Sequence, residues 1–319
     1  IRDRSGTQMK QTQDKNSKNL TGKQSYRVFE TAEPWILYHN DFSLCSRKVR
    51  ICLAELKVNY KPIHINIIET GSAENLTKEF KFINPNVTVP VLLHNGYPIY
   101  ESHEQIKYLQ EFMKNESNLN DEISYWVKRG SLIGEPINDL EKYAGNCVSL
   151  LTPPLFISML KDISIFKFFS YYIRHPVKFR AFNFIIFKIF GFNAYKDKTP
   201  LHKITQKVIS HLNNHMREFN SQILNKEWIS NNQFSVADIT WAVLFHRLEE
   251  LQILEKFTKS YPAIEQYYIR VKKRYSFKEG VLAFKNTSVD RGVKNLQKSI
   301  SAVSYLRKHY IDIEDSIKN

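Results

Sequence analysis

Between residues 35 and 114 the apolar pattern switches period repeatedly, and the order of those switches leaves few folds open. "WILYH" (35–39) is a short apolar run and reads as a strand. From Cys45 to Leu56, Val49, Cys52, Leu53 and Leu56 return at three- and four-residue steps, the spacing of one helix face. "KPIHINI" (61–67) alternates and predicts a second strand, parallel to the first if that helix crosses over between them. A short helical segment near 74–82 leads to "VPVLLH" and "YPIYE", separated by Asn95-Gly96, a pair that favours the tight turn of a hairpin. Ile106, Leu109 and Met113 then mark one face of a helix over about 103–114. The order βαβ-α-ββα predicts an α/β domain of the thioredoxin-like arrangement over residues 33–115.

On either side the pattern differs. Residues 1–32 are polar and aperiodic, and the expectation is a disordered lead-in with order beginning at Trp35. Residues 116–285 read as an all-helical domain. In "NQFSVADITWAVLFHRLEEL" (232–251), Ser235 and Asp238 form a capping box before a long apolar run. Pro262 opens a further helix whose Ile264, Tyr267, Tyr268 and Val271 point inward. Residues 286–319 form a helical extension, with Val289, Val293, Leu296, Ile300, Val303 and Leu306 at helical steps and expected to pack back on the body.

Charge and cysteine content narrow the function. Lys and Arg number 46 against 32 Asp and Glu, a formal charge of +14. That excess suits an anionic partner or reflects a general surface bias. The basic residues form no base-stacking platform, so nucleic acid is not an expected partner. Three cysteines, Cys45, Cys52 and Cys147, argue against a disulfide framework and for a reducing compartment. No stretch has the unbroken apolar length of a membrane span, and no secretory-signal core opens the chain; the cytoplasm is the expected address. There is no C-x-x-C, so dithiol redox chemistry is not expected of this fold, and no metal site is expected.

Residues 150–200 stand apart. They are dense in Phe, Ile and Tyr, interrupted by Lys178, Arg180 and Lys188, and split at Pro176. Three readings are open: a lid over an apolar substrate site, an interfacial element touching a membrane through 155–192, or extra helices of the core.

Ser43 and Cys45 carry the chemistry-bearing pattern. In "LYHNDFSLCSRKVRICLAEL" (37–56) they sit where a strand turns into a helix, where the N-terminal dipole stabilises an anion. Arg47 and Lys48 beside them would lower a thiol pKa. Taken with "TVPVLL", the terminal "YES" and the helical second half, this stretch resembles the glutathione transferase superfamily over about 34–114 and 205–282.

The resemblance implies glutathione as co-substrate. It implies a cis Val89-Pro90 bond, whose Val89 backbone pairs with the cysteinyl part of glutathione, and a Glu101–Ser102 pair that grips the γ-glutamyl end. Ser43, seven residues before Arg50, takes the place of the superfamily's active-site residue. "S-x-C-S…R-V-R" is similar to the zeta class, the maleylacetoacetate isomerases, where the serine stabilises the thiolate. "SLCS", "FSVADITWAVLFHRLEEL" and "YYIRVKKRYSF" are similar to the tetrachlorohydroquinone reductive dehalogenases, whose cysteine attacks a glutathionyl-aromatic sulfur. Cys45 is therefore either a second nucleophile or, with Cys52 on one helix face, a core-facing residue. One departure stands out: Val87 and Thr88 precede Pro90's strand where the family often has Lys or Gln, leaving His64, Lys48 and Lys78 as candidates for the glycyl end.

The function so implied is thiol substitution, isomerisation or reductive dehalogenation of a small hydrophobic, aromatic electrophile by a homodimeric enzyme. The competing reading is a non-catalytic, membrane-associated protein. "HRL", "YYxRVxKR" and the long insertion are similar to the ganglioside-induced differentiation-associated proteins, which associate with mitochondrial membranes.

Overall fold

A computed structural model describes residues 20–114, 120–133, 136–161, 163–231 and 233–318; the disorder expected of residues 1–19 lies outside them. The chain divides into two compact units, residues 1–118 with 275–285 and residues 119–274 with 286–319.

The first unit holds β1 (Gly22–Lys23), β2 (Trp35–His39), α1 (Leu44–Glu55), β3 (Lys61–His64), α2 (Lys78–Ile83), β4 (Val91–His94), β5 (Tyr97–Tyr100) and α3 (Ser102–Lys114). Its sheet has the order β1-β5-β4-β2-β3. β2 runs parallel to β3, with Ile36 opposite Lys61, and antiparallel to β4, with Leu37 opposite Leu92. Every residue of β2 is buried, as the unbroken apolar run requires of a strand paired on both sides. Asn95 and Gly96 both have positive φ, 52° and 82°, as a two-residue hairpin turn demands. Gly96 meets a second demand: a Cβ there would lie 2.1 Å from the Phe29 carbonyl oxygen.

Order begins before Trp35, because Gly22–Lys23 joins the sheet and Val28 and Phe29 join its core rather than extending the disordered lead-in. β1 pairs antiparallel with β5, Gly22 opposite Tyr100, and the Val28 N–H donates to Gly96 O at 2.9 Å. Val28 and Phe29 are buried in the core with Ile36, Tyr38, Leu93 and Tyr100. Two apolar residues in a polar stretch show no period; the open edge of β5 gives them their place. At the other edge β3 ends at His64, short of the predicted Ile67. Beyond it Thr70 Oγ1 accepts the Ile67 N–H at 3.0 Å and turns the chain.

The second unit is helical: α4 (Asp121–Arg129), α5 (Ala144–Leu151), α6 (Pro153–Met159), α7 (Ile165–Arg174), α8 (Lys178–Phe190), α9 (Pro200–Ile223), α10 (Val236–Glu250), α11 (Leu254–Ser260) and α12 (Pro262–Lys273). The expected helical domain ran on to residue 285, but α13 (Tyr275–Phe277) and the residues to Lys285 fold with the first unit. α14 (Thr287–Ala302) and α15 (Ser304–Lys318) complete the second unit. The extension is thus two helices, interrupted at Val303, whose φ of −99° and ψ of 112° are extended. It packs back: Tyr310 OH donates to Leu251 O at 3.0 Å, and Lys256 pairs with Glu314 at 2.7 Å.

The core of this unit is aromatic. Phe219 lies 4.4 Å from Trp241, 5.1 Å from Phe245 and 5.2 Å from Tyr267, between ring centroids. The capping box forms as the sequence predicts, with Asp238 Oδ2 accepting the Ser235 N–H at 2.8 Å. Asp238 does more than cap. Its Oδ1 accepts the Ile229 N–H at 3.0 Å and the Tyr267 hydroxyl at 2.9 Å, which satisfies a buried carboxyl. Among the described residues no helix is long and apolar enough to cross a membrane.

Candidate active site

The site begins where the chain leaves β2. Asn40 builds the turn: its Oδ1 accepts the Phe42 N–H at 3.0 Å, and its Nδ2 donates to Ile65 O at 2.8 Å and Thr70 Oγ1 at 3.1 Å. Ser43 follows as N-cap of α1, with φ −64° and ψ 122°. Its Oγ accepts the Ser46 N–H at 3.2 Å and lies 3.5 Å from the carbonyl oxygen of Val89. A hydroxyl that accepts from the helix keeps its own proton to donate, and accepting strengthens it as a donor. Cys45, half-buried, stands in the first turn of α1, whereas Cys52 is buried two turns on. Cys147, in the second unit, is buried, and that burial pushes its thiol up to about 12, out of the nucleophilic range.

The second edge of the site is the entry to β4. The Val89-Pro90 bond is cis. The Val89 carbonyl faces Ser43, and the Val89 N–H makes no hydrogen bond within the described residues. Three asparagines that the sequence reading passed over shape this loop. Asn75 Nδ2 donates to Val87 O at 2.8 Å, Asn84 Nδ2 donates to Thr88 O at 2.8 Å, and Asn84 Oδ1 accepts the Asn86 N–H at 2.9 Å. Val87 has φ 53°, a left-handed conformation that costs a β-branched residue. Its carbonyl is held by Asn75 and its N–H by Asn84 O at 3.0 Å. Asn84-Pro85-Asn86 was the available signal, since Asn and Pro are turn formers for definite reasons.

Glu101 and Ser102 stand at the junction of β5 and α3. Glu101 is exposed with φ 64°, and Ser102, buried, is the first residue of α3. Gln105 ties this junction to the loop of Pro90. Its Nε2 donates to Pro90 O and to Ile99 O, both at 2.9 Å, while its N–H donates to Glu101 O at 2.9 Å. The structure thus links Ser43 to Val89 directly and Pro90 to Glu101 through Gln105. A polar residue at a helical step gave no hint of this, because its partners come from two other segments.

Behind the Asn40–Asp41 turn lies a buried charged group. Arg50 Nη1 donates to His39 Nδ1 at 3.0 Å and to Asn40 O at 3.2 Å, its Nε donates to Gly280 O at 2.7 Å, and the guanidinium stacks 4.3 Å from the Phe284 ring centre. Burial, reinforced by Arg47, brings Arg50 down to about 9, so it stays charged at neutral pH. Burial and the Arg50 charge hold His39 at about 3, as a neutral ring whose Nδ1 accepts. His64, a candidate for the glycyl end, instead meets Asp41 Oδ2 at 3.1 Å, and that hydrogen bond raises its pKa. Burial alone would raise Asp41, but the His64 hydrogen bond and charge outweigh it and lower the carboxyl.

Comparison with known proteins accords with this geometry. The family description "Glutathione S-transferase, N-terminal domain" matches residues 42–111, and "Glutathione S-transferase, C-terminal domain" matches residues 185–279. Glutathione S-transferase TCHQD of Arabidopsis thaliana is 22% identical over 252 residues, 76% of this chain and 88% of that protein. Tetrachloro-p-hydroquinone reductive dehalogenase of Sphingobium chlorophenolicum is 23% identical over 263 residues, 76% of this chain and 93% of that protein. Maleylacetoacetate isomerase of Mus musculus is 40% identical over 76 residues, which are 24% of this chain and 35% of the isomerase. With a thioredoxin-like α/β unit, a helical unit and both halves matched, the chain belongs to the glutathione transferase superfamily.

Proposed function

We propose that this protein activates glutathione at Ser43 and transfers it to a small hydrophobic, aromatic electrophile. The observation that carries the reading is the position of Ser43, capping α1 with its hydroxyl 3.5 Å from the Val89 carbonyl. A free thiol with a pKa of about 8.5 is mostly protonated at neutral pH, so a glutathione transferase needs a donor that favours the thiolate. The Ser43 O–H supplies that hydrogen bond, and the α1 N-terminus adds its dipole.

The rest of the tripeptide has matching partners. The Val89 N–H, without a hydrogen bond among the described residues, and the Val89 C=O take the cysteinyl backbone as an added strand would. Ser102 and the N-terminus of α3, beside Glu101, receive the γ-glutamyl carboxylate and amine. Thiolate attack on an aromatic carbon bearing a halogen forms the C–S bond and expels halide.

Cys45 extends this to reduction. Its thiolate attacks the sulfur of a glutathionyl-aromatic; an S–S bond forms, and the electron pair of the broken C–S bond passes to the aromatic carbon, which takes a proton. A second glutathione thiolate then resolves the mixed disulfide, leaving glutathione disulfide and free Cys45. The likeness to a reductive dehalogenase over 263 residues, and the half-buried place of Cys45 in the first turn of α1, support this step.

The test is retention on immobilised glutathione, followed by turnover of a chloronitroaromatic and of a halogenated hydroquinone. Binding with turnover of either is the expected result. Failure to bind glutathione at millimolar concentration would sink the enzymatic reading.

A further inference from the structure

Helices α7 and α8, joined by the short link 175–177, turn large apolar side chains to solvent. Phe166 is 80% exposed, Ile173 74%, Phe179 75% and Ile189 60%. The opposite faces are apolar as well: Phe168 and Tyr171 of α7 and Ala181, Phe184 and Ile185 of α8 are buried. The core reading of this segment therefore accounts for one face of each helix and leaves the other. A surface helix of a soluble protein normally shows water its polar side, and contiguous exposed apolar area marks a contact surface.

Charge identifies the occupant. From Ile163 to Lys196 there are six Lys and Arg residues and not one Asp or Glu. Lys167, Lys178 and Arg180 are exposed among the aromatic residues. Lys178 Nζ donates to Tyr172 O at 2.9 Å and Ile173 O at 2.7 Å, which caps the last carbonyls of α7 and fixes an ammonium beside exposed Ile173. A second copy of this chain fits poorly, because a two-fold interface would set the basic residues of this segment against the same basic residues of its mate. A surface that is anionic and also has apolar depth fits both features, and a lipid bilayer is such a surface.

We propose that the exposed face of α7 and α8 docks peripherally on anionic membranes, with Phe166, Ile173, Phe179 and Ile189 entering the acyl boundary and Lys167, Lys178 and Arg180 meeting lipid phosphates. This contact is independent of the glutathione chemistry, and no helix spans the bilayer in it.

Flotation of the full chain with vesicles tests it. The wild-type protein is expected to float with phosphatidylcholine vesicles carrying phosphatidylserine, and to bind at least about tenfold more weakly to phosphatidylcholine alone or in high salt. Phe166→Ser with Phe179→Ser, and separately Lys167→Glu with Arg180→Glu, are each expected to cut binding about tenfold or more while the thermal midpoint holds. Wild-type protein that stays unbound in low salt overturns the proposal. So does a phenylalanine double variant that floats like the wild type, or one that turns a wild-type dimer into a monomer by light scattering.

Discussion

The hydroxyl of Ser43 accepts the Ser46 N–H at 3.2 Å and lies 3.5 Å from the Val89 carbonyl, so one side chain joins the start of α1 to the loop entering β4. Capping and catalysis then draw on different parts of the same group, the lone pair and the proton. They can be separated experimentally.

Ser43→Ala removes both. Thiol transfer is expected to fall about 10²- to 10³-fold in kcat/KM, the usual cost of losing one preorganised donor, with the thiolate titrating at higher pH. Stability is expected to drop by about 1 kcal/mol for the lost cap, read by urea unfolding. Ser43→Asp restores the cap but sets a negative charge against the thiolate, so stability returns while activity does not.

Cys45→Ser is expected to leave conjugation of a chloronitroaromatic within about twofold, because attack by glutathione does not use this thiol. With a halogenated hydroquinone, reductive turnover is expected to stop and the glutathionyl-aromatic to accumulate, as seen by mass spectrometry. An equal loss on both substrates would instead mark Cys45 as a packing residue.

Gly280→Ala tests the packing of residues 275–285 on α1. A Cβ there would lie 2.6 Å from Ile51 N, 2.8 Å from Ile51 Cα and 2.9 Å from Arg50 C. These are backbone atoms and cannot rotate aside. The segment must back away, which also withdraws the Gly280 carbonyl from Arg50 Nε. The expected cost is about 2–4 kcal/mol of unfolding free energy, with a lower thermal midpoint.

Acid should destabilise the fold early. His39 titrates at about 3 in the folded chain against 6.5 in its ordinary state, held down by burial and by Arg50. Between those values the unfolded chain takes a proton that the folded chain refuses, so stability falls as pH drops through the window. His215 and His309, each held by burial at about 4, act in the same direction. His64, raised by Asp41, works oppositely: its contribution is complete below 6.5 and fades as pH rises through its raised pKa. Its partial exposure keeps that contribution small. His39→Asn keeps an acceptor for Arg50 but cannot titrate, and should lower the pH slope of unfolding below 6.5 by up to about one proton.

What residues decide within a few positions of themselves was legible in the chain. The Asn95-Gly96 turn, the Ser235–Asp238 capping box and Pro262 at a helix start all act locally, and all formed; the three- and four-residue apolar steps formed helices too, except that the run over 289–306 breaks at Val303. The element order followed, and with it the fold. The placing of Ser43 at a helix N-terminus followed as well.

Tertiary structure decided what depends on a distant partner. Val28 and Phe29 became core only because β5 had a free edge, and residues 275–285 joined the first unit through a glycine that lets backbone meet α1. Gln105, Asn75 and Asn84 became site-building residues by finding carbonyls that local sequence does not identify. In α7 and α8 the apolar arc is wider than the strip that became buried, so periodicity did not say which part of it would face inward. Propensity and spacing act over one or two turns of chain; partner and burial are set by whichever segments the whole fold brings alongside.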